Sequence, residues 1–87
     1  MNPERLWKRI QKGAVNNIGF KDFVRLVEAF GFELKRQRGS HQIYRHPQVE
    51  EKLNLQALRD GSAKPYQVRD LASIVARNRL TLDPKEE

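Results

Sequence analysis

Hydrophobic residues recur at helical spacing in three parts of the chain, which predicts three amphipathic helices. The predicted helices cover residues 3–12, 20–30 and 65–80. Gly31 follows the second helix, where a left-handed residue commonly ends a helix, and Pro65 suits the first turn of the third. The side of the third helix that is predicted to be buried carries Tyr66, Val68, Leu71, Ala72, Ile74 and Val75.

Between the second and third helices, apolar and polar residues alternate with the period of two that is typical of β-strands. The predicted strands cover residues 32–38, 41–46 and 52–58. In the first strand, Phe32 and Leu34 alternate with polar residues, and Gly39 can adopt the positive φ of a tight turn after it. Short connections favour an antiparallel meander of three strands, with both flanking helices on one face and the other face open. The prediction is an α+β fold, an α-β-β-β-α core like that of double-stranded-RNA-binding domains, preceded by an extra N-terminal helix.

The second strand decides which side chains reach the open face. His41, Ile43 and Arg45 share one face, and Gln42, Tyr44 and His46 share the other. Each face holds one bulky apolar residue, so alternation alone does not identify the buried one. Arg45 favours solvent for its own face, which places His41 in solvent and Tyr44 in the core. His46 stands at the strand end, where a histidine more often caps or packs.

Composition limits the classes of protein that the chain can belong to. With 87 residues it has room for one small domain, and without cysteine it has no disulfide, thiol nucleophile or cysteine-ligated metal. Its start lacks the apolar run of a signal peptide, and no segment approaches the ~20 apolar residues of a membrane span, so a soluble cytoplasmic protein is expected. The net charge of +6 suits a nucleic-acid partner, but equally suits an acidic protein, a membrane surface or no polyanion at all.

Histidine is the main candidate for chemistry. The two histidines point to opposite faces and there is no carboxylate pair at ligand spacing, so neither a metal nor another cofactor is expected. RNA needs little more than a base for its 2′-hydroxyl, a donor for the leaving oxygen and cations for the phosphate, and histidine titrates in the useful range. From the residues alone, a purely structural histidine beside a turn remains the commoner interpretation of His41. The candidate RNA-binding residues around it are Arg36, Arg38, Gly39, Ser40, Arg45 and Lys52.

Three segments carry a resemblance to a known family. VEAFGFELKRQRGSHQIYRHP, LNLQAL and AKPYQVRDLASIVARNRL resemble the HicA toxins of bacterial type II toxin–antitoxin modules, over about residues 19–80. The resemblance implies an mRNA interferase, a metal-independent endoribonuclease whose one catalytic histidine follows Gly-Ser on the second strand, here His41. It also implies a HicB-type antitoxin as partner, in some cases within a higher toxin–antitoxin assembly. The chain then divides into an N-terminal helical extension (1–18), the HicA-like domain (19–80) and a flexible tail (81–87).

Two departures from the family pattern leave alternatives open. Many members carry a second histidine where this chain has Gln42, and many end the third strand with Pro and His where this chain reads LNLQAL. One alternative is a non-catalytic RNA-binding module, although the start of the last helix offers only Lys64 and Arg69 as cations. The other is a degenerate toxin that acts as a scaffold for its antitoxin.

Overall fold

The computed structural model describes residues 1–82, and its elements follow the predicted order. The helices are α1 (Pro3–Gln11), α2 (Phe20–Ala29) and α3 (Pro65–Asn78), and the strands are β1 (Glu33–Arg38), β2 (His41–Arg45) and β3 (Leu53–Leu55). Gly31 and Gly39 both have positive φ, at 102° and 58°, as their predicted places after α2 and between β1 and β2 require. The α+β fold with an extra N-terminal helix is thus confirmed. Of the predicted tail, residues 83–87 lie outside the described part of the chain.

The three strands form an antiparallel sheet in the order β1-β2-β3. Its buried side chains lie on one face, where Tyr44, Leu53 and Leu55 join the hydrophobic core with residues of all three helices. Within residues 1–82 no helix covers the opposite face, and His41 and Arg45 are exposed there. The prediction that Tyr44 is buried and that His41 faces solvent is therefore confirmed.

The N-terminal helix is part of this core. Leu6 and Ile10 are buried among core residues, and the ring of Trp7 packs edge-on against Phe30 with centroids 4.9 Å apart. The side chain of Asn2 caps the helix by accepting the backbone N–H of Arg5 at 3.0 Å. The segment predicted as an extension shares its packing with the rest of the fold.

In the predicted first strand, the alternation gives the burial of Phe32 correctly but not that of Leu34. Leu34 is 45% exposed although Phe32 is buried, and every residue of β1 is exposed. β1 is an edge strand, and its register shifts between Leu34 and Arg36, where Lys35 is an extra residue without a partner on β2. Such a β-bulge changes the face on which the following side chains lie.

Two further predictions were wrong in detail. The predicted third strand is longer than β3, because the backbone N–H of Gln56 bonds to the side chain of Gln67 on α3 rather than continuing the ladder. Tyr66, which was assigned to the buried side of α3, is 54% exposed. It lies in the first turn, and its hydroxyl accepts a hydrogen bond from Gln67 Nε2 at 3.2 Å.

His46 joins the end of β2 to the end of α2. Its Nδ1 accepts the backbone N–H of Gln48 at 3.0 Å, so the ring proton is on Nε2, which donates to the carbonyl of Phe30 at 3.1 Å. A Cβ at Gly31 would lie only 2.9 Å from this Nε2. His46 packs and caps as predicted and belongs to the scaffold. Within residues 1–82, no helix has the length and apolar character needed to cross a membrane.

Candidate functional site

The open face of the sheet carries a hollow of about 260 Å³. Its lining side chains are Arg36, Arg38, His41, Ile43 and Asn54, which are basic, apolar or amide. The strand register explains this grouping, because Arg38 pairs with His41 while Arg36 and Asn54 pair with Ile43 from opposite sides. Three strands therefore place two guanidinium groups and one imidazole on the same small surface.

The orientation of His41 is set by β3. Nδ1 of His41 lies 3.3 Å from Oδ1 of Asn54, and an amide oxygen can only accept, so Nδ1 carries the ring proton. The other nitrogen, Nε2, then has a lone pair that can accept a proton. When the ring is neutral, this tautomer suits an exposed imidazole to act as a general base.

The structure brings only some of the predicted RNA-binding residues close to His41. Arg36 and Arg38 share its hollow, and Lys52 lines a second cleft that also includes His41. Arg45 stands four residues along β2, about 13 Å away. Its guanidinium donates to the backbone carbonyl of Glu50 at 3.3 Å. Arg45 therefore lies on the same face of the sheet but at its far end.

The Gly-Ser turn before His41 is linked to the start of α3. Gly39 occupies the left-handed region at φ 58°, which closes the turn between β1 and β2. Ser40 Oγ accepts from Gln56 Nε2 at 3.0 Å, and Gln56 Oε1 accepts from Lys64 Nζ at 3.0 Å. One glutamine side chain thus joins the turn to an ammonium group that lies far from it in sequence.

A buried glutamine fixes the strand that carries Asn54. Gln67 is only 4% exposed, and its Nε2 donates to the carbonyl of Asn54 at 3.1 Å while its Oε1 accepts the N–H of Gln56 at 3.2 Å. These are the two bonds that a neighbouring strand would make to the edge of β3. The side chain of α3 therefore occupies the place of a fourth strand and holds β3 against the helix.

Next to this contact, β3 and α3 enclose a cleft of about 410 Å³. His41 and Tyr66 line one end of it, and at the other end Arg77 donates to Glu51 at 2.6 Å. The hydrogen bond from Arg77 lowers the pKa of the Glu51 carboxyl, which keeps that pair ionised. No cluster of three or more histidine and carboxylate side chains suited to a metal ion occurs in residues 1–82.

Sequence analysis missed several residues of this site. Asn54, Gln56 and Gln67 lie in segments that carry the family resemblance, but nothing in those segments marks them as site residues. Asn54 meets His41 and Gln56 meets Ser40 through the pairing of β2 with β3, and Gln67 reaches β3 through the packing of α3. The alternation of Leu53 and Leu55 did contain a signal for Asn54, because it places that side chain on the face opposite to the core. For Lys64 the sequence indicates only a cation at the start of a helix, not its bond to Gln56.

Comparison with known proteins supports the family resemblance. A family model described as HicA toxin of bacterial toxin-antitoxin matches residues 20–74, which extend from the start of α2 into α3 and include His41 and Asn54. Neither a curated protein nor a solved structure matches the chain. The matched segment is well over half of the chain, and α1 lies outside it.

Proposed function

The chain belongs to the HicA toxin family of bacterial toxin–antitoxin systems, and we propose that it is an endoribonuclease that cleaves mRNA with His41 as its reagent. Membership of the family makes the chain the toxin of a pair and implies an antitoxin partner. One observation carries the proposal. The hydrogen bond between His41 Nδ1 and Asn54 Oδ1 leaves Nε2 of an exposed imidazole able to accept a proton beside Arg36 and Arg38.

The proposed reaction uses the nucleophile that RNA itself carries. Nε2 of His41 takes the proton of the 2′-hydroxyl, the 2′-oxygen forms a bond to phosphorus, and the bond from phosphorus to the 5′-oxygen breaks. The departing 5′-oxygen takes up a proton. One fragment then ends in a 2′,3′-cyclic phosphate and the other in a 5′-hydroxyl. DNA lacks the 2′-hydroxyl and is not a substrate.

The cations around His41 have a separate role. Guanidinium groups match phosphate oxygens in bidentate fashion, so Arg36 and Arg38 would hold the scissile phosphate and offset the charge that develops on it. Lys52 and Arg45 would bind phosphates farther along the strand. Because base and cations all come from the protein, cleavage is proposed to be independent of metal.

The position of Gln42 supports a catalytic toxin over a degenerate scaffold. Gln42 lies on the core-facing side of β2, where it pairs with Leu55 and its Oε1 accepts the hydroxyl of Tyr44 at 2.9 Å. A histidine at this place would point away from the face that holds His41. The lack of a second histidine therefore removes no group from the hollow around His41.

The open face is also the surface that an antitoxin has to cover in order to inhibit the toxin. We propose a HicB-type partner that buries His41 and the two β1 arginines, in the cytoplasm where mRNA is found. A toxin of net charge +6 favours an antitoxin surface of negative charge. Such a partner competes with RNA for the same basic groups.

Inducible expression of the wild type and of His41→Ala, in a host that lacks the antitoxin, tests the proposal in cells. Growth and intact mRNA are followed together, and the abundance of folded protein is checked for both. Growth arrest with loss of mRNA for the wild type alone is the expected result. Arrest by both proteins would refute the role of His41, and arrest by neither would refute the toxin activity.

Purified protein gives the chemical test. In excess EDTA, the wild type should cleave RNA to 2′,3′-cyclic phosphate ends, and His41→Ala should be slower by about 10²–10⁴-fold with nearly unchanged affinity. Arg38→Gln should weaken RNA binding and lower its salt dependence by about 0.7 of a unit on the log–log slope. Arg5→Gln, which removes the same charge from the exposed side of α1, is the matched control. Equal effects of the two arginine variants would contradict the site.

A further inference from the structure

We propose that the end of the β3–α3 cleft next to His41 binds a nucleobase of the RNA, stacked on the ring of Tyr66. This inference rests on the proposed function, because it assigns a binding site to a nucleotide that flanks the bond cleaved at His41. Both side chains line the same cleft of about 410 Å³. The cleft lies between β3 and α3, and His41 and Asn54 line both this cleft and the hollow that holds the arginines.

The exposure of Tyr66 is the first observation. Tyr66 is 54% exposed, although the pattern of α3 predicts it in the core. Its hydroxyl is held by Nε2 of Gln67, which also donates to β3 through the carbonyl of Asn54. The ring is therefore fixed beside β3 with its hydrophobic surface accessible. An ordered, exposed aromatic ring beside a basic surface is the usual platform for a base of single-stranded RNA.

Charge separates this cleft from the hollow on the open face. The hollow combines two arginines with amide and apolar groups, which suits phosphate oxygens. The cleft is of mixed charge: Lys52 and the ion pair of Arg77 with Glu51 line it, and so does Asp70. Asp70 stands one helical turn after Tyr66, on the same side of α3. A carboxylate repels phosphate but accepts hydrogen bonds from the amino groups of adenine, cytosine or guanine. The backbone of the RNA would follow the arginines while one base turns into the cleft.

Lys64 would anchor the strand between the two surfaces. Its ammonium group donates to Gln56, which in turn bonds to Ser40 next to His41. The ammonium group therefore stands between the turn before His41 and the first turn of α3, where Tyr66 lies. A protein partner that inserts a side chain into the same cleft is the alternative that the experiment has to distinguish.

The test measures binding of a labelled single-stranded RNA by His41→Ala protein, so that no cleavage is needed. In that background Tyr66→Ala should weaken binding by roughly 5- to 150-fold, the range of base–aromatic stacking, without changing the salt slope. Tyr66→Phe, which keeps the ring, should bind within about threefold of the parent. Leu58→Ala, at another exposed hydrophobic residue, is the matched control and should have no effect.

An abasic scan identifies the base. In a series of RNAs that each lack one base, one RNA should bind the parent protein as weakly as intact RNA binds Tyr66→Ala. Combining that missing base with Tyr66→Ala should cause no further loss of affinity. Equal binding by the parent and Tyr66→Ala overturns the inference, and so does an effect seen only on the antitoxin complex, which would indicate a protein contact. If the wild type does not cleave RNA but Tyr66→Ala still weakens RNA binding, only the proposed RNase activity is refuted.

Discussion

Replacing Gln67 by leucine tests whether one buried side-chain amide holds β3, the strand that carries Asn54, in place. In the wild type the side chain donates to the carbonyl of Asn54 and accepts the N–H of Gln56, and the residue is only 4% exposed. Leucine has similar volume but neither a donor nor an acceptor. The substitution therefore removes both bonds to β3, together with the bond to the hydroxyl of Tyr66, and leaves two backbone groups of a sheet edge covered by an apolar side chain.

The magnitude follows from these two bonds. A buried polar group that loses its partner costs about 1–3 kcal/mol. Taking the lower half of that range for each of the two backbone groups gives a cost of roughly 2–4 kcal/mol. Burying the apolar leucine side chain recovers about 1 kcal/mol. The expected net loss of about 2 kcal/mol is a large part of the total stability of an 87-residue domain, which is about 4–13 kcal/mol. It corresponds to a fall in Tm of about 8–16 °C.

Urea denaturation followed by the fluorescence of Trp7, which packs on Phe30, measures the change. Gln11→Leu makes the same chemical change at an exposed position and should stay within about 0.5 kcal/mol of the wild type. Hydrogen exchange adds a local readout, because the amide of Gln56 should exchange faster in Gln67→Leu than global unfolding explains. A Gln67→Leu protein as stable as the control, with the Gln56 amide still protected, would refute the reasoning.

Three further predictions concern the scaffold. Gly31→Ala should lose more stability than Gly13→Ala, because both glycines have positive φ but an added Cβ meets another group, His46 at 2.9 Å, only at Gly31. Equal losses of about 1–2 kcal/mol in the free energy of unfolding, measured in urea, would contradict that contact. Burial, and secondarily the charge of Glu28, raise the pKa of Tyr44, so the folded state keeps this proton longer and stability should fall as pH rises above about 10. Tyr44→Phe should lose less stability over that pH range, and a parallel decline in both proteins would show that other groups cause it. Leu6→Ala should lose about 2–5 kcal/mol, because α1 belongs to the core, whereas the exposed Glu4→Ala should lose little; a similar small loss in both would make α1 an appendage.

Periodicity predicted most elements well because the three helices and the strands β2 and β3 each bury one face. Leu6 and Ile10, or Leu53 and Leu55, repeat at the spacing of their element and are buried. Tyr66 shows the limit of this rule. It follows the apolar stripe of α3 but stands in the first turn, where its neighbour Gln67 rather than the stripe contacts β3. Which turn of a helix meets the sheet depends on packing that a local pattern does not contain.

The candidate site was predictable only in the part that one strand contains. His41 and its face followed from the alternation of β2, but the group that orients it, Asn54, is thirteen positions away. Gln67 is another thirteen positions beyond Asn54. Contacts of this kind arise from strand register and helix packing. No spacing along the chain distinguishes these amides from other amides on a polar surface.

The bulge at Lys35 connects the fold to the proposed chemistry. Leu34 pairs with Tyr44, which lies on the core face of the sheet. With strict alternation, Arg36 and Arg38 would share the face of Leu34 and point toward the helices. One extra residue reverses the phase after Lys35, so that Arg36 pairs with Ile43 and Arg38 with His41. Phe32, before the bulge, is buried, while both arginines after the bulge reach the hollow. An irregularity that shortens the apolar face of an edge strand is thus what assembles the cations around His41.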